Sequence, residues 1–155
     1  MRKRLGILLE SFAPSQLAAE LTWSGNELVR QDVDVIGFFR NQALPAVTPL
    51  FALMPATEAF GFSGVLVATS LATAAICEKA IGPSERWFYC WDLEWLRMQQ
   101  KNAKALAEAY RNPAYRLAAR SADHKLALEQ AWNVEVVGIN ERASLAWFLE
   151  HGNAQ

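Results

Sequence analysis

Gly64-Val65-Leu66-Val67-Ala68-Thr69-Ser70-Leu71-Ala72-Thr73-Ala74-Ala75-Ile76 decides the fold. A short run rich in aliphatic and β-branched side chains stops at Thr69-Ser70, and alanine-rich sequence follows. Branched side chains suit a buried pleated strand, Ser is a favoured N-cap and Ala is the best helix former, so this is a strand feeding a helix. The same grammar recurs at residues 5–10, 33–39, 86–91 and 115–119. Strands alternating with helical stretches build a parallel sheet. The expectation is an α/β protein, one Rossmann-like domain over residues 1–155, its largely parallel sheet carrying helices on both faces.

Working outward, the strand at 5–10 ends in Ser11-Phe12-Ala13-Pro14, and Ser15 can cap a helix carrying Leu17, Ala18, Leu21 and Leu28, weakened near its middle by Gly25. Pro45, Pro49 and Pro55 forbid a long helix after the strand at 33–39, leaving one short strand near 50–53 and a single turn over 58–62. The helix that starts after Ser70 stops near Gly82-Pro83. Leu96, Ala103, Leu106 and Tyr110 fall at helical spacings and predict one helix over 93–111, closed by Asn112-Pro113. Ser121 then caps a helix over 122–132, followed by a short strand at 134–137 and a terminal helix at 142–149.

Of the 155 residues 52% are hydrophobic and 20% charged, with a formal net charge of −1. This is the composition of a globular domain with no electrostatic footprint for nucleic acid or an anionic membrane, so no nucleic-acid partner is expected. Cys77 and Cys90 form no Cys-x-x-Cys, and only His124 and His151 could join them. Neither zinc nor a disulfide is indicated, and two buried thiols are expected. The basic Arg2-Lys3-Arg4 precedes an apolar run that Glu10 cuts too short for an export signal. Residues 59–77 carry no formal charge and approach bilayer-spanning length, but Gly61, Ser63, Gly64, Thr69, Ser70 and Thr73 suit a buried strand, turn and helix better than a lipid-facing helix. A cytoplasmic protein without a membrane span is expected.

In such a fold ligands bind outside the carboxyl ends of the strands, at a topological switch point. That rule selects Glu10-Ser11, Thr69-Ser70, Asp92 and Glu94, and Arg120-Ser121-Ala122-Asp123-His124. Ser70 and Ser121 offer helix N-termini suited to anions, though capping alone explains a serine there. Arg120 can pair with Asp123 or Glu94, and Glu94 with Arg97. His124 sits in the first turn of a helix, where the dipole disfavours its protonated form. Glu10 directly ends an apolar strand and must face the rim, pair with a cation, or shift its pKa upward. Glu58 either approaches the same crevice or caps a short turn. Trp91-Asp92-Leu93-Glu94-Trp95 sets aromatic rings beside carboxylates, a pairing suited to stacking on a sugar or base; alternatively Trp91 and Trp95 pack the sheet edge or a subunit contact. The Gly-x-Gly-x-x-Gly, Gly-x-x-x-x-Gly-Lys-Ser/Thr and Gly-x-Ser-x-Gly patterns are absent, which removes the usual support for dinucleotide, P-loop and α/β-hydrolase chemistry.

The order of four segments resembles the N-terminal half of GT-B glycosyltransferases, especially the retaining family 4 type. They are Leu5-Gly6-Ile7-Leu8-Leu9-Glu10-Ser11, Val67-Ala68-Thr69-Ser70, Trp87-Phe88-Tyr89-Cys90-Trp91-Asp92, and Ala119-Arg120-Ser121-Ala122-Asp123-His124-Lys125 before a helix ending at Trp132-Asn133 and a strand through Gly138. The pattern covers most of the chain and is also similar to short stand-alone proteins of phage type. The resemblance implies an acceptor-side rim made of Glu10, Ser11, Phe12, Thr69, Ser70, Asp92, Arg120, Ser121 and His124. In that family a C-terminal domain holds most nucleotide-sugar contacts, and no such domain is expected within these 155 residues. The resemblance therefore implies a glycosyltransferase-like protein that meets a nucleotide sugar and a sugar acceptor together with a partner chain or as a homo-oligomer, with no cofactor, no metal and no residue assigned a catalytic role. The alternative is a non-catalytic module binding a sugar, nucleotide or protein, with its contacts in the Trp-rich region. A third reading is a small nucleotide-binding enzyme holding phosphate at Ser70 or Ser121.

Overall fold

Side-chain alternation along the strands sorts the apolar residues onto two faces. Leu5, Ile7 and Leu9 join one buried cluster and Leu8 the other; Trp87 and Tyr89 likewise separate from Phe88 and Cys90. A sheet apolar on both faces must be covered on both, and the sequence between its strands supplies the helices. A computed structural model describes residues 2–152. Its elements are β1 (Arg4–Ser11), α1 (Gln16–Arg30), β2 (Asp34–Asn41), β3 (Ala52–Pro55), a 3-10 turn (Ala56–Gly61), β4 (Gly64–Ala68), α2 (Leu71–Lys79), β5 (Pro83–Cys90), two further 3-10 turns (Glu94–Arg97 and Gln100–Asn102), α3 (Ala103–Tyr110), β6 (Arg116–Ala119), α4 (Ala122–Trp132), β7 (Val136–Ile139) and α5 (Leu145–Gly152).

The strands form a single sheet in the order β3-β2-β1-β4-β5-β6-β7, and each neighbouring pair is parallel. This is the Rossmann-like α/β architecture expected from the strand-to-helix grammar. From β1 the chain builds outward through β2 to β3, then returns to start β4 on the other side of β1. Right-handed crossovers travelling in opposite directions along a sheet place their helices on opposite faces. Accordingly α1 and α5 cover Leu5, Ile7, Trp87 and Tyr89, while α2, α3 and α4 cover Leu8, Leu66, Phe88 and Leu117. The strand order reverses between β1 and β4, which opens a crevice at their carboxyl ends.

Two glycines are demanded by close approach. Gly64 enters β4 at φ +128, where a Cβ would lie 2.6 Å from the Arg4 carbonyl oxygen. Gly25, expected to weaken its helix, instead admits the Phe51 ring, whose Cε1 would stand 2.6 Å from a Cβ there. The helical penalty of a glycine is thereby exchanged for packing of α1 against the segment leading to β3.

The single helix expected over 93–111 is corrected by the structure. Only Ala103–Tyr110 is α-helical, and the first part winds as two 3-10 turns. The spacing puts Leu96 on the buried face, but Leu96 is 69% exposed and its neighbour Trp95 turns inward. Trp95 packs edge-on against Tyr110 and Trp132 at 5.4 and 5.8 Å between ring centres. Burying one large ring outweighs a regular turn of helix. Other boundaries move as well: β3 is Ala52–Pro55 against 50–53, the turn after it is Ala56–Gly61 against 58–62, α2 stops at Lys79, Pro83 begins β5, the last strand is Val136–Ile139 and the last helix is Leu145–Gly152. Residues 59–77 resolve into the end of a 3-10 turn, β4 and α2, and among the described residues no helix is long and apolar enough to cross a membrane.

Candidate functional site

Glu10 shares the face of Gly6 and Leu8 at the last turn of the pleat in β1, and Arg40 shares the face of Phe38 in β2. The register pairs Leu9 with Phe39 and Ser11 with Asn41, so Glu10 and Arg40 stand opposite each other at the rim. Arg40 Nη1 donates to both Glu10 oxygens, at 2.8 and 3.0 Å. From the other side Ser70 Oγ donates to Glu10 Oε1 at 3.0 Å. The carboxylate that ends β1 is therefore fixed across the switch point by one group from β2 and one from the turn after β4.

That turn is itself tightly built. Thr69 Oγ1 donates to the Leu8 carbonyl at 2.7 Å and ties the end of β4 to β1. Ser70 is extended at φ −146 and ψ 165, and its Oγ accepts from Thr73 N at 3.2 Å. Thr73 Oγ1 accepts in return from Ser70 N and Thr69 N, at 2.9 and 3.0 Å. This reciprocal capping satisfies amides that a helix start leaves free. The next amide, Leu71 N, is taken by Glu94, whose two oxygens accept from it at 3.1 and 3.2 Å.

The opposite wall comes from the connection after β5. Asp92 pairs with Arg97 at 2.8 Å and accepts from Leu93 N at 3.0 Å. Trp91 stands beside it, with the Arg120 guanidinium 4.2 Å over its ring and Arg120 Nη1 3.5 Å from its carbonyl oxygen. Glu10, Ser11, Ser70, Trp91, Asp92 and Glu94 thus line one cleft of about 340 Å³, with Ser15 and Leu17 of the α1 N-terminus on its far side. A larger depression of about 550 Å³ lies at the amino ends of the strands beside Arg2, Lys3 and Asp32. Arg2 and Asp32 there pair at the surface at 3.2 Å, and the position is remote from the switch point. The smaller cleft is the candidate site because helix starts and hydrogen-bonding side chains converge on it.

Electrostatics distinguish Glu94 within the site. Burial pushes its carboxyl above the usual range, Asp92 and Glu10 push in the same direction, and the Leu71 amide and Arg97 pull it back. His124 is lowered, chiefly by burial and then by the Arg120 charge, while Asp92 and Asp123 oppose the shift. Beneath the rim, burial holds the Cys90 thiol well above its ordinary value and pushes Cys77 up to about 12; both are buried free thiols. Among the described residues no group of three or more His, Cys, Asp or Glu is placed to hold a metal ion.

Of the residues singled out from the sequence, Glu10, Ser11, Thr69, Ser70 and Asp92 come together in the cleft. Arg120 and His124 lie on the neighbouring rim through the Trp91 stack and the first turn of α4. Ser121 caps α4, accepting from His124 N at 3.1 Å. Phe12 is 2% exposed and packs in the α1/α5-side core, its ring filling the space beside Gly37. Trp95 belongs to the Tyr110–Trp132 stack, and Glu58 is exposed on the 3-10 turn after β3, outside the cleft lining. Sequence reasoning missed Arg40 and the Arg97 contact to Asp92. Arg40 had a signal: two adjacent parallel strands end in Glu-Ser and Arg-Asn at matching positions. No protein-family model, curated protein or solved structure matches this chain.

Proposed function

We propose that this chain binds a polyhydroxylated ligand, a sugar or the ribose of a nucleotide, in the cleft between the carboxyl ends of β1 and β4. One observation carries the reading. Three carboxylates, Glu10, Asp92 and Glu94, and the hydroxyls of Ser11 and Ser70 surround a cleft walled by Trp91. Ionised carboxylates only accept hydrogen bonds, so they match a ligand rich in hydroxyl donors, and an aromatic wall suits the C–H face of a sugar ring. A phosphate fits less well. Arg40 and Arg97 are already paired with Glu10 and Asp92, and Glu94 occupies the Leu71 amide at the start of α2.

A transferase role on the same seat is the second reading. The hydroxyl ligand would be the acceptor of a glycosyltransferase-like assembly, with the nucleotide sugar brought by a partner chain or a second copy. The raised pKa of Glu94 favours it, because such a carboxylate is better able to take a proton from an acceptor hydroxyl.

A thermal-shift panel of free sugars, nucleosides, nucleoside diphosphates and nucleotide sugars tests the proposal. A ligand at about 100 times its dissociation constant adds roughly 2.7 kcal/mol, several degrees in melting temperature. A shift from a neutral sugar or nucleoside that disappears in Glu10→Gln supports the seat. A panel flat for all hydroxyl ligands rejects it. A shift confined to nucleotide sugars, followed by turnover when a donor-binding chain is added, selects the transferase reading.

A further inference from the structure

From Asn41 to Thr57 no residue carries a formal charge, and Ala, Leu, Val, Phe, Met and Pro make up most of the stretch. None of residues 41–55 is fully buried. From Leu44 to Met54 exposed positions alternate strictly with half-buried ones, the pattern of an extended ribbon with one side against the protein. Such a ribbon ordinarily turns polar side chains to water. Here the outward set is Leu44, Ala46, Thr48, Leu50, Ala52 and Met54; only Thr48 is polar, and Leu44 is 89% exposed.

Helix α1 extends this surface. On one flank Ser24 Oγ accepts from Leu145 N at 2.7 Å. On the other, the Asn26 side chain holds the ribbon, donating to the Thr48 carbonyl at 3.0 Å and accepting from Leu50 N at 2.7 Å. Trp23 is the i,i+3 neighbour of Asn26, so its indole, 59% exposed, stands beside the ribbon. The Glu27–Arg30 pair lies next along the helix. Where the ribbon ends, β3 closes this side of the sheet: among the described residues it pairs with β2 alone, leaving a row of backbone donors and acceptors facing outward. The opposite edge is built differently. There β7 is flanked by exposed Glu135, Glu141 and Arg142, the kind of charges that discourage edge pairing.

We propose that the β3 edge, the 42–55 ribbon together with Trp23, is the surface on which a second copy of this chain docks about a two-fold axis. An edge strand laid antiparallel to its own copy meets donors with acceptors, so β3 is complementary to itself. A two-fold contact brings residues near the axis against their own mates, which sets like charge on like; a surface without formal charge escapes that cost and offers no electrostatic feature for selecting a different partner. The ribbon and the adjoining flank of α1 supply on the order of 20 residues, what a standard interface takes from each side, with Trp23 as an aromatic anchor and Glu27 and Arg30 at the rim. Strands related by this axis run in opposite directions. The two clefts therefore open at opposite ends of the assembly and both stay free, so the inference does not rest on what the cleft binds.

Sedimentation equilibrium on the unliganded full chain tests it. The wild type is expected to be dimeric at about 100 μM, a concentration that populates any contact of micromolar affinity. Leu50→Lys sets two ammonium groups toward each other across the axis and is expected to weaken association at least about a hundredfold. Val137→Lys, the same kind of change at the β7 edge, is expected to leave the dimer intact. A wild type that stays monomeric overturns the proposal, as does a dimer that survives Leu50→Lys or one that Val137→Lys breaks. Circular dichroism checks that each variant is folded; should Leu50→Lys fail to fold, Leu44→Lys, at the most exposed position of the ribbon, decides by the same criterion.

Discussion

Glu10 and Arg40 face each other across the end of the β1–β2 ladder, one guanidinium nitrogen touching both carboxylate oxygens. The pair is nearly half exposed on both sides, so its contribution to stability is small, about 0–1 kcal/mol. Its geometric effect is larger, because Arg40 and Ser70 together leave Glu10 little freedom to turn away from the cleft. Arg40→Ala is expected to leave urea-unfolding midpoints nearly unchanged while weakening ligand binding about tenfold by calorimetry. Equal loss in Arg40→Ala and in Arg30→Ala, a residue remote from the cleft, would show that charge rather than position matters.

Ser70 and Ser121 cap α2 and α4 with the same extended geometry, but only Ser70 also donates to a cleft carboxylate. Alanine at either position is expected to cost about 1 kcal/mol of stability. Ser70→Ala alone is expected to reduce ligand affinity. Chemical denaturation and titration calorimetry on the two variants separate capping from binding.

Much of this arrangement is legible in the sequence. The switch from β-branched to alanine-rich residues at Thr69-Ser70 locates β4, its turn and α2, and the serine caps at Ser15, Ser70 and Ser121 stand where local chemistry puts them. The Arg40 contact is only half legible: two strands end in Glu-Ser and Arg-Asn, but bringing those ends together takes the strand order and register, which are properties of the sheet. The 93–111 stretch misleads because helical periodicity fits Leu96 and Tyr110, while the fold turns Trp95 inward and leaves Leu96 exposed. The Trp95 ring suits a ligand's face on sequence grounds, yet its own surroundings are taken by Tyr110 and Trp132, and Trp91 walls the cleft instead.

The connection between β5 and α3 gives its own stability contrast. Trp95→Ala empties a site shared with two aromatic rings and is expected to cost about 2–4 kcal/mol, near the lower range for truncating a core tryptophan because Trp95 is only partly buried. Leu96→Ala is expected to stay within about 0.5 kcal/mol. Thermal or urea unfolding decides; the reverse order would restore the continuous helix over 93–111.

Glu94 predicts a pH dependence. Its folded pKa lies above the ordinary carboxyl value, so the folded state binds the proton more strongly than the unfolded chain. Stability contributed by this group is full below the unfolded pKa, about 4.3, and is lost as pH rises through the raised value. The stability of Glu94→Gln relative to wild type is therefore expected to grow with pH across that window and then level off. Urea unfolding at intervals from pH 4 to 7.5 measures the difference; a constant or shrinking difference contradicts the assignment.

The binding claim is tested most directly by titrating the isotopically labelled chain with the best hydroxyl ligand of the panel and mapping backbone-amide shifts. The account predicts that the largest changes fall at Ser11, Ser70, Leu71 and Asp92, saturate together, and vanish in Glu10→Gln. Changes centred instead on Arg2, Lys3 and Asp32 at the amino ends of the strands, or no saturable change with any hydroxyl ligand, would contradict it.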